Sequence, residues 1–479
     1  MAKCGTLIRN ALVVDGGGET PLAADVAIDA GRILAVGALQ DYQPEDIIDV
    51  EGKVLAPGFI DVHAHDDLYL IRNPEMLPKL SQGVTTVIVG NCGISAAPVQ
   101  LRGKLPDPMN LLGEEEAFRF PTFASYVKAI ATAQPTVNVA ALVGHTALRN
   151  NHMDRLDRSA TPSEMDAMRA QLREALAHGA LGLSTGLAYL SAYSASTEEV
   201  AALAEPLADA GAIYATHLRS ESEAILQALD EACRIGKNAQ VPVVVSHLKC
   251  AGIANWGRGT EVLEWLDRSR ESQPIGWDCY PYAAGSSTLD LRQVDERVTI
   301  RITWSIPHPD KAGQTLAQIA EAWGVGHREA ARRLQPAGAI YHSIAEEDMR
   351  DILRHPATMI GSDGLPNDPL PHPRLWGTFP RVLGHYCREQ KLFSLAEAVR
   401  KMTSLPAQRF GLTDRGCIRP GYHADLVLLD PVTIRDLATF DDPIRPAAGM
   451  EAVWVNGTLT YRSQALTGQR AGRFLPRQT

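Results

Sequence analysis

The chain has 479 residues, a length that accommodates a barrel of typical size plus a satellite domain. Its 45% hydrophobic and 21% charged residues are those of an ordinary globular protein. A formal net charge of −10 argues against nucleic acid and membrane surfaces as main partners. No apolar run approaches a membrane span, no secretory h-region opens the chain, and seven scattered cysteines fit a reduced, cytoplasmic protein.

Residues 1–57 read as short strands. Thr6 to Val14 runs into the turn signal Asp15-Gly16-Gly17-Gly18, and Val26-Ala27-Ile28 and Arg32 to Val36 flank Asp29-Ala30-Gly31, a hairpin. At Val54 the rhythm changes. An apolar run through Phe59 and Ile60 delivers His63 and His65, which share one face if the strand continues through them. Two neutral imidazoles suit zinc or a similar divalent ion. Asp66 and Asp67 directly behind favour that over two idle loop histidines.

Buried-looking strands then alternate with helical stretches, the pattern of a parallel α/β architecture. Eight strands are predicted, ending at His65, Cys92, His145, Gly186, His217, His247, Tyr280 and Asp363. Thr161 to Glu164 and Ser196 to Glu199 read as helix capping boxes. Eight such strands imply a (β/α)8 TIM-like barrel, in which catalytic groups sit at strand C-termini. The metal-capable residues His63, His65, Cys92, His217, His247 and Asp363 all fall there, which scattered structural side chains do not explain. The gap between Tyr282 and Thr358 is longer than a crossover needs, so an insertion of about residues 284–350 is expected after strand 7, over the barrel mouth. Strands return around 424–430 and 452–457. They are expected to pair with the N-terminal ones, making one small β-sandwich from residues 1–57 and 415–479 around a barrel of 58–414.

Taken together, Pro57 to His65 and Arg419 to Leu426 resemble the amidohydrolase superfamily. Within it, Gly90 to Ser95, Ser184 to Leu187, Thr216 to Glu221, Ser246 to Cys250, Gly361 to Pro366 and His372 to Pro380 resemble the D-aminoacylases, or N-acyl-D-amino-acid deacylases. The resemblance implies that Cys92 replaces the bridging lysine or glutamate of many relatives. It implies that Cys92, His217 and His247 hold one tightly bound zinc, and that His63, His65 and Asp363 line a second, weaker site. A thiolate with two imidazoles leaves a position for water, whose pKa zinc lowers towards ~7. Asp363 is then the candidate general base and acid. A Cys92/His nucleophilic pair is the competing reading, but it leaves the other strand-end ligands unexplained.

The resemblance places Lys249, Arg374, Tyr282 and Ser287 around the substrate α-carboxylate, with Tyr189 as a further contact. Lys249 lies two residues after His247, and a guanidinium suits bidentate carboxylate binding. His145 is read as a support of the pocket. The expected activity is zinc-dependent hydrolysis of small-molecule N-acyl-D-amino acids to a carboxylate and a D-amino acid; the D-preference rests on the resemblance alone. An N-acyl-D-glutamate preference is expected from Arg292 and Arg297 in the insertion, with Arg297 favoured because Val294, Val298 and Ile300 surround it; the competing reading is that both arginines only pair with Asp290, Asp295 or Glu296 at the surface. The alternatives are a D-aminoacylase for hydrophobic side chains, a cyclic-amide hydrolase such as a hydantoinase or dihydroorotase, and a non-catalytic metal scaffold.

Overall fold

Short runs of β-branched and small residues build the centre of the molecule. The computed structural model describes residues 2–478. Its barrel strands, first to eighth, are Phe59–Asp61, Val84–Val89, Asn138–Ala141 continued by Val143–Gly144, Gly182–Gly186, Ile213–His217, Val243–Val245, Ile275–Cys279 and Thr358–Ile360. Neighbouring strands pair in parallel. The ring closes between the first and eighth strands through an Ala64–Gly364 bridge and an Asp363 amide donating to the His63 carbonyl at 2.8 Å. The eight strands stand where the alternation of the sequence put them, but several stop short of their expected ends: the first at Asp61, the second at Val89, the sixth at Val245 and the eighth at Ile360, so His63, His65, Cys92, His247 and Asp363 lie in the turns beyond them. The Asp61 carboxylate accepts from the His63 amide at 3.3 Å, a local turn bond that ends the ladder.

Inside the ring, Ile60, Val62, Ile88, Ala140, Leu142, Ala215, Val244 and Met359 share one core with Phe410, Leu412 and Leu475. The last three close the floor at the strands' N-terminal end. There the Leu475 amide donates to the Val139 carbonyl at 2.7 Å, and the Val139 amide to Arg473 at 2.9 Å. Helices cover the outside. Thr161 caps Pro162–Ala177 with a full capping box. At Thr197–Ala210 only half of the expected box forms: Ser196 accepts from the Glu199 amide, while the Glu199 carboxylate turns inward to His145 and Arg149.

Strands from both ends of the chain make one nine-stranded sheet, in which Leu426–Leu429 pairs antiparallel with Val54–Pro57. The Ala424 amide donates to the Gly31 carbonyl at 2.9 Å, bringing the far hairpin back against the C-terminal strands. Ile8, Val26, Ile33, Leu426 and Trp454 meet in the core between them. The sandwich is thus one sheet returning on itself.

After the seventh strand, Gly285–Thr288, Ile300–Ser305 and Ala337–Tyr341 form a separate antiparallel sheet. It packs with helices Leu316–Trp323 and His327–Leu334 on its own core of Ile300, Ile302, Leu316, Ile319 and Leu334. Thr303 donates to the Asp368 carboxylate at 2.7 Å, tying this unit to the loop that follows Asp363. No helix among the described residues is long and apolar enough to cross a membrane.

Candidate metal centre

The second barrel strand delivers Cys92 through the turn Gly90-Asn91-Cys92-Gly93. Both glycines have positive φ, 77° and 73°. A Cβ on Gly90 would meet the Leu142 carbonyl at 2.2 Å, and one on Gly93 the Gly186 amide at 2.6 Å. No other residue lets the turn lie this close to its neighbours. Cys92 itself has φ 54°, His247 36° and Asp363 49°. Three non-glycine residues in left-handed backbone, each just past a strand end, mark strain held at one place.

Around the buried Cys92 sulfur stand His63 Nε2 at 3.2 Å, His247 Nε2 at 3.2 Å and His217 Nδ1 at 3.8 Å. Asp363 Oδ1 lies 3.6 Å from His63 Nε2 and 3.1 Å from His65 Nε2. Donor atoms of His63, Cys92, His247 and Asp363 all fall within 4.8 Å of one another. Carboxylates stand behind the rings: His63 Nδ1 is 3.4 Å from Asp278 Oδ2, and His247 Nδ1 is 3.0 Å from Glu221 Oε1. Such backing turns the remaining nitrogens inward as lone-pair donors.

Burial alone would raise the Cys92 thiol. The His63 and His247 imidazoles, with hydrogen bonds from His217 and His247, overcome it and hold the thiol well below its ordinary value. Burial likewise opposes ionisation of Asp363. The Arg374 guanidinium, then His247 and His63, prevail and keep the carboxyl well below the usual range. A thiolate, a carboxylate and four imidazoles converging in a dry site fit a zinc-type cation; two candidate groups, His63, Cys92, His247 and Asp363, and His217, Glu221 and His247, have His247 in common.

Beside this cluster is a cationic pocket. Arg374 Nη1 lies 2.9 Å from Asp363 Oδ2, and its Nη2 donates to the Ser286 carbonyl at 3.1 Å. The Tyr280 ring lies 4.6 Å from the Arg374 guanidinium and 5.8 Å from Lys249 Nζ. Arg374 Nε, the Tyr280 hydroxyl and Ser286 Oγ are buried without a hydrogen-bond partner among the described residues. Unspent donors around two cations are what an incoming carboxylate would satisfy.

Most of the residues expected at the site gather here. The Tyr189 ring lies 4.8 Å from that of His217, and Ser287 faces the Tyr189 phenol. Tyr282 does not join them. Its amide turns back onto the Tyr280 carbonyl at 2.9 Å, and its ring packs on Arg381 at 4.9 Å and His372 at 5.1 Å. Tyr280 occupies the place proposed for it, a position legible from spacing, because Tyr280 lies two residues after the inward-facing Asp278. Arg297 is also misplaced: it is exposed and forks onto Asp295 at 2.6 Å, while Val298 and Ile300 are buried in the insertion's own core. Arg292 is nearer: its Nη2 donates to the Ala188 carbonyl at 2.8 Å beside Tyr189 and also, with Nε, to the Asp290 carboxylate at 2.6 and 3.0 Å. His145 is buried against Glu199 at 3.0 Å. Glu221, 3.0 Å from His247 and 2.5 Å from Lys249, ends the Thr216 to Glu221 stretch but was given no role from the sequence.

A sequence profile of the amidohydrolase family matches residues 46–461. The chain is similar to a D-aminoacylase of Alcaligenes xylosoxydans xylosoxydans, 48% identical over 98% of this chain and 97% of that one. It is also similar to an N-acyl-D-aspartate deacylase of the same organism, 47% identical over 99% and 95%. The crystal structure of an N-acyl-D-glutamate deacylase from Bordetella bronchiseptica, complexed with zinc and a phosphonate mimic of the tetrahedral intermediate, superposes with a TM-score of 0.95. It is 43% identical and covers 99% of this chain and 100% of that one.

Proposed function

The chain belongs to the amidohydrolase family, and from that premise we propose that it is a zinc-dependent deacylase that hydrolyses the amide of N-acyl-D-amino acids. The observation that carries this reading is the Cys92 sulfur, ringed by His63, His217 and His247, beside a pocket of unspent donors. Cys92, His217 and His247 would hold one zinc, and His63, His65 and Asp363 would line a second, weaker position. Zinc supplies Lewis acidity towards water and an amide carbonyl.

The chain's own groups supply the rest. Lys249, Arg374 and Tyr280 bind the α-carboxylate and so fix which amide faces Asp363. Asp363 accepts a proton as water adds to the acyl carbon. It returns that proton to the amide nitrogen as the C–N bond breaks, leaving a carboxylate and a free D-amino acid. Arg374 holds Oδ2, while Oδ1 faces His65 and His63.

Identity does not rank side chains, since aspartate-specific and general relatives match almost equally. We assign an acidic preference to Arg292, which reaches the rim beside Tyr189. A charge-assisted bond there is worth about 1.5–3 kcal/mol, roughly tenfold to a hundredfold in selectivity. The test offers the zinc-loaded protein N-acetyl-D-glutamate, N-acetyl-D-methionine and their L-enantiomers. Release of amine from the D-substrates is expected, with kcat/KM favouring glutamate in wild type and losing that bias in Arg292→Met. Turnover of L-substrates alone removes the deacylase reading; preference for methionine removes only the acidic one.

A further inference from the structure

Cys92 and Gly93 are the central residues of a turn closed by the Ile94 amide, which donates to the Asn91 carbonyl at 3.0 Å. Both have positive φ, 54° and 73°, the arrangement of a type I′ turn. Glycine, asparagine and aspartate are its usual occupants, so a cysteine there needs outside support. The backbone groups around it are buried and must find partners. The Gly93 carbonyl accepts from the Thr146 amide at 2.8 Å. The Gly90 carbonyl and the Gly93 amide turn to one side chain instead. Ser184 Oγ, fully buried on the fourth barrel strand, accepts from the Gly93 amide at 3.0 Å and donates to the Gly90 carbonyl at 2.5 Å. One hydroxyl has the proton and the lone pair that this bridge needs.

We propose that Ser184 is a positioning residue whose hydroxyl, bridging Gly90 and Gly93, holds the turn from which Cys92 faces the histidines. This rests on the assignment of Cys92 as a zinc ligand. The third strand lies between the second and the fourth, and Gly144 lets the turn cross it. Gly144 stands opposite Ser184 in parallel register, and a Cβ on it would meet the Gly93 carbonyl at 2.6 Å. A Cβ on Gly186 would likewise meet the Cys92 carbonyl at 2.2 Å. The turn after the second strand thus rests on the fourth. Without the hydroxyl, the Gly93 amide and the Gly90 carbonyl lose their partner, a costly state for buried groups. A direct bond between the two would relieve it, drawing the ends of the segment together and re-aiming the sulfur.

The experiment compares Ser184→Ala with wild type and with Ser95→Ala. Ser95 Oγ also bridges a buried amide and carbonyl, accepting from Gly144 at 3.0 Å and donating to Ala97 at 2.9 Å, but neither group belongs to the Cys92 turn. Zinc affinity is measured by chelator competition. The thiolate-to-cobalt charge-transfer band of the cobalt(II)-substituted protein reports the sulfur–metal bond itself, and circular dichroism checks folding. In folded Ser184→Ala we expect zinc to bind about tenfold to a hundredfold more weakly and the band to weaken. Ser95→Ala should keep the wild-type band. A wild-type band in folded Ser184→Ala, whatever its melting temperature, would overturn the proposal, as would equal loss of the band in both variants. If Ser184→Ala does not fold, a crystal structure of the zinc-loaded wild type decides. Ser184 Oγ bridging Gly90 and Gly93 supports the proposal, and a direct bond from the Gly93 amide to the Gly90 carbonyl overturns it. Failure of the ligand assignment is recognised separately: wild type then shows no charge-transfer band, and Cys92→Ala retains stoichiometric zinc.

Discussion

Cys92, His247 and Asp363 each sit in backbone that disfavours a side chain. At ~1–3 kcal/mol per strained residue, the fold offsets this with packing elsewhere. Strain of that kind persists where a side chain must point in one direction, and these three converge. Their separate roles predict separate losses. Asp363→Asn should keep most of the tight zinc, since Cys92, His217 and His247 remain, yet lose most of kcat because an amide cannot carry the proton. Cys92→Ala should lose both. Metal analysis alongside turnover distinguishes them, and near-normal turnover of Asp363→Asn leaves that carboxylate without its role. The ligands were legible because histidine, cysteine and aspartate at strand ends are uncommon in such number. Tyr282 misled because motif context says nothing about the turn at Pro281, and Arg297 because its apolar neighbours were weighed above Asp295, two residues away, with which it pairs. Glu221 was silent because Lys249 and His247 reach it only through the fold.

At the scale of the element, the seam between first and eighth strands depends on a buried ion cluster. Lys79 Nζ lies 2.8 Å from Asp61, 3.1 Å from Asp66 and 2.9 Å from Ser362 Oγ, with all three charged side chains fully buried. Asp61 in turn accepts from the Ser362 amide at 2.8 Å, one residue before Asp363. Lys79→Met would leave two carboxylates without their counter-charge, a loss of about 3–5 kcal/mol. Chemical denaturation checks it; a change below ~1 kcal/mol would falsify the view that this ion cluster holds the seam. The strands were legible here, but the lysine was not. It lies in a short helix whose sequence, Leu77–Leu80, gives no sign that its charge faces inward.

For the whole molecule, acid stability runs through Glu199. Burial would raise its carboxyl, but the His145 hydrogen bond and the Arg149 guanidinium hold it at about 2 against an ordinary 4.5. Because the folded value is depressed, this stabilisation is complete above about pH 4.5 and is lost as pH falls from there towards 2. It is on the order of 3 kcal/mol. The melting-temperature gap between wild type and Glu199→Gln should therefore be widest near pH 6 and narrow steadily below pH 4.5. A gap independent of pH means that Glu199 acts through packing alone. The overall plan was readable because the eight strands repeat one pattern. The sheet's return on itself was not, because residues far apart in sequence, such as Gly31 and Ala424, carry no local mark of meeting.

The barrel floor sets an order of events. Phe410, Leu412 and Leu475 close the ring from beneath, and Leu426–Leu429 supplies the partner of Val54–Pro57. All of them follow the eighth strand. A ribosome that has finished the barrel strands and their ligands has still not released the segments that seal them. Until Leu426–Leu429 emerges, Val54–Pro57 lacks its antiparallel partner, and until Leu475 emerges the ring is open at the bottom. The interval of greatest exposure to misassociation therefore follows the eighth strand, when the candidate metal ligands are already made but their floor is not.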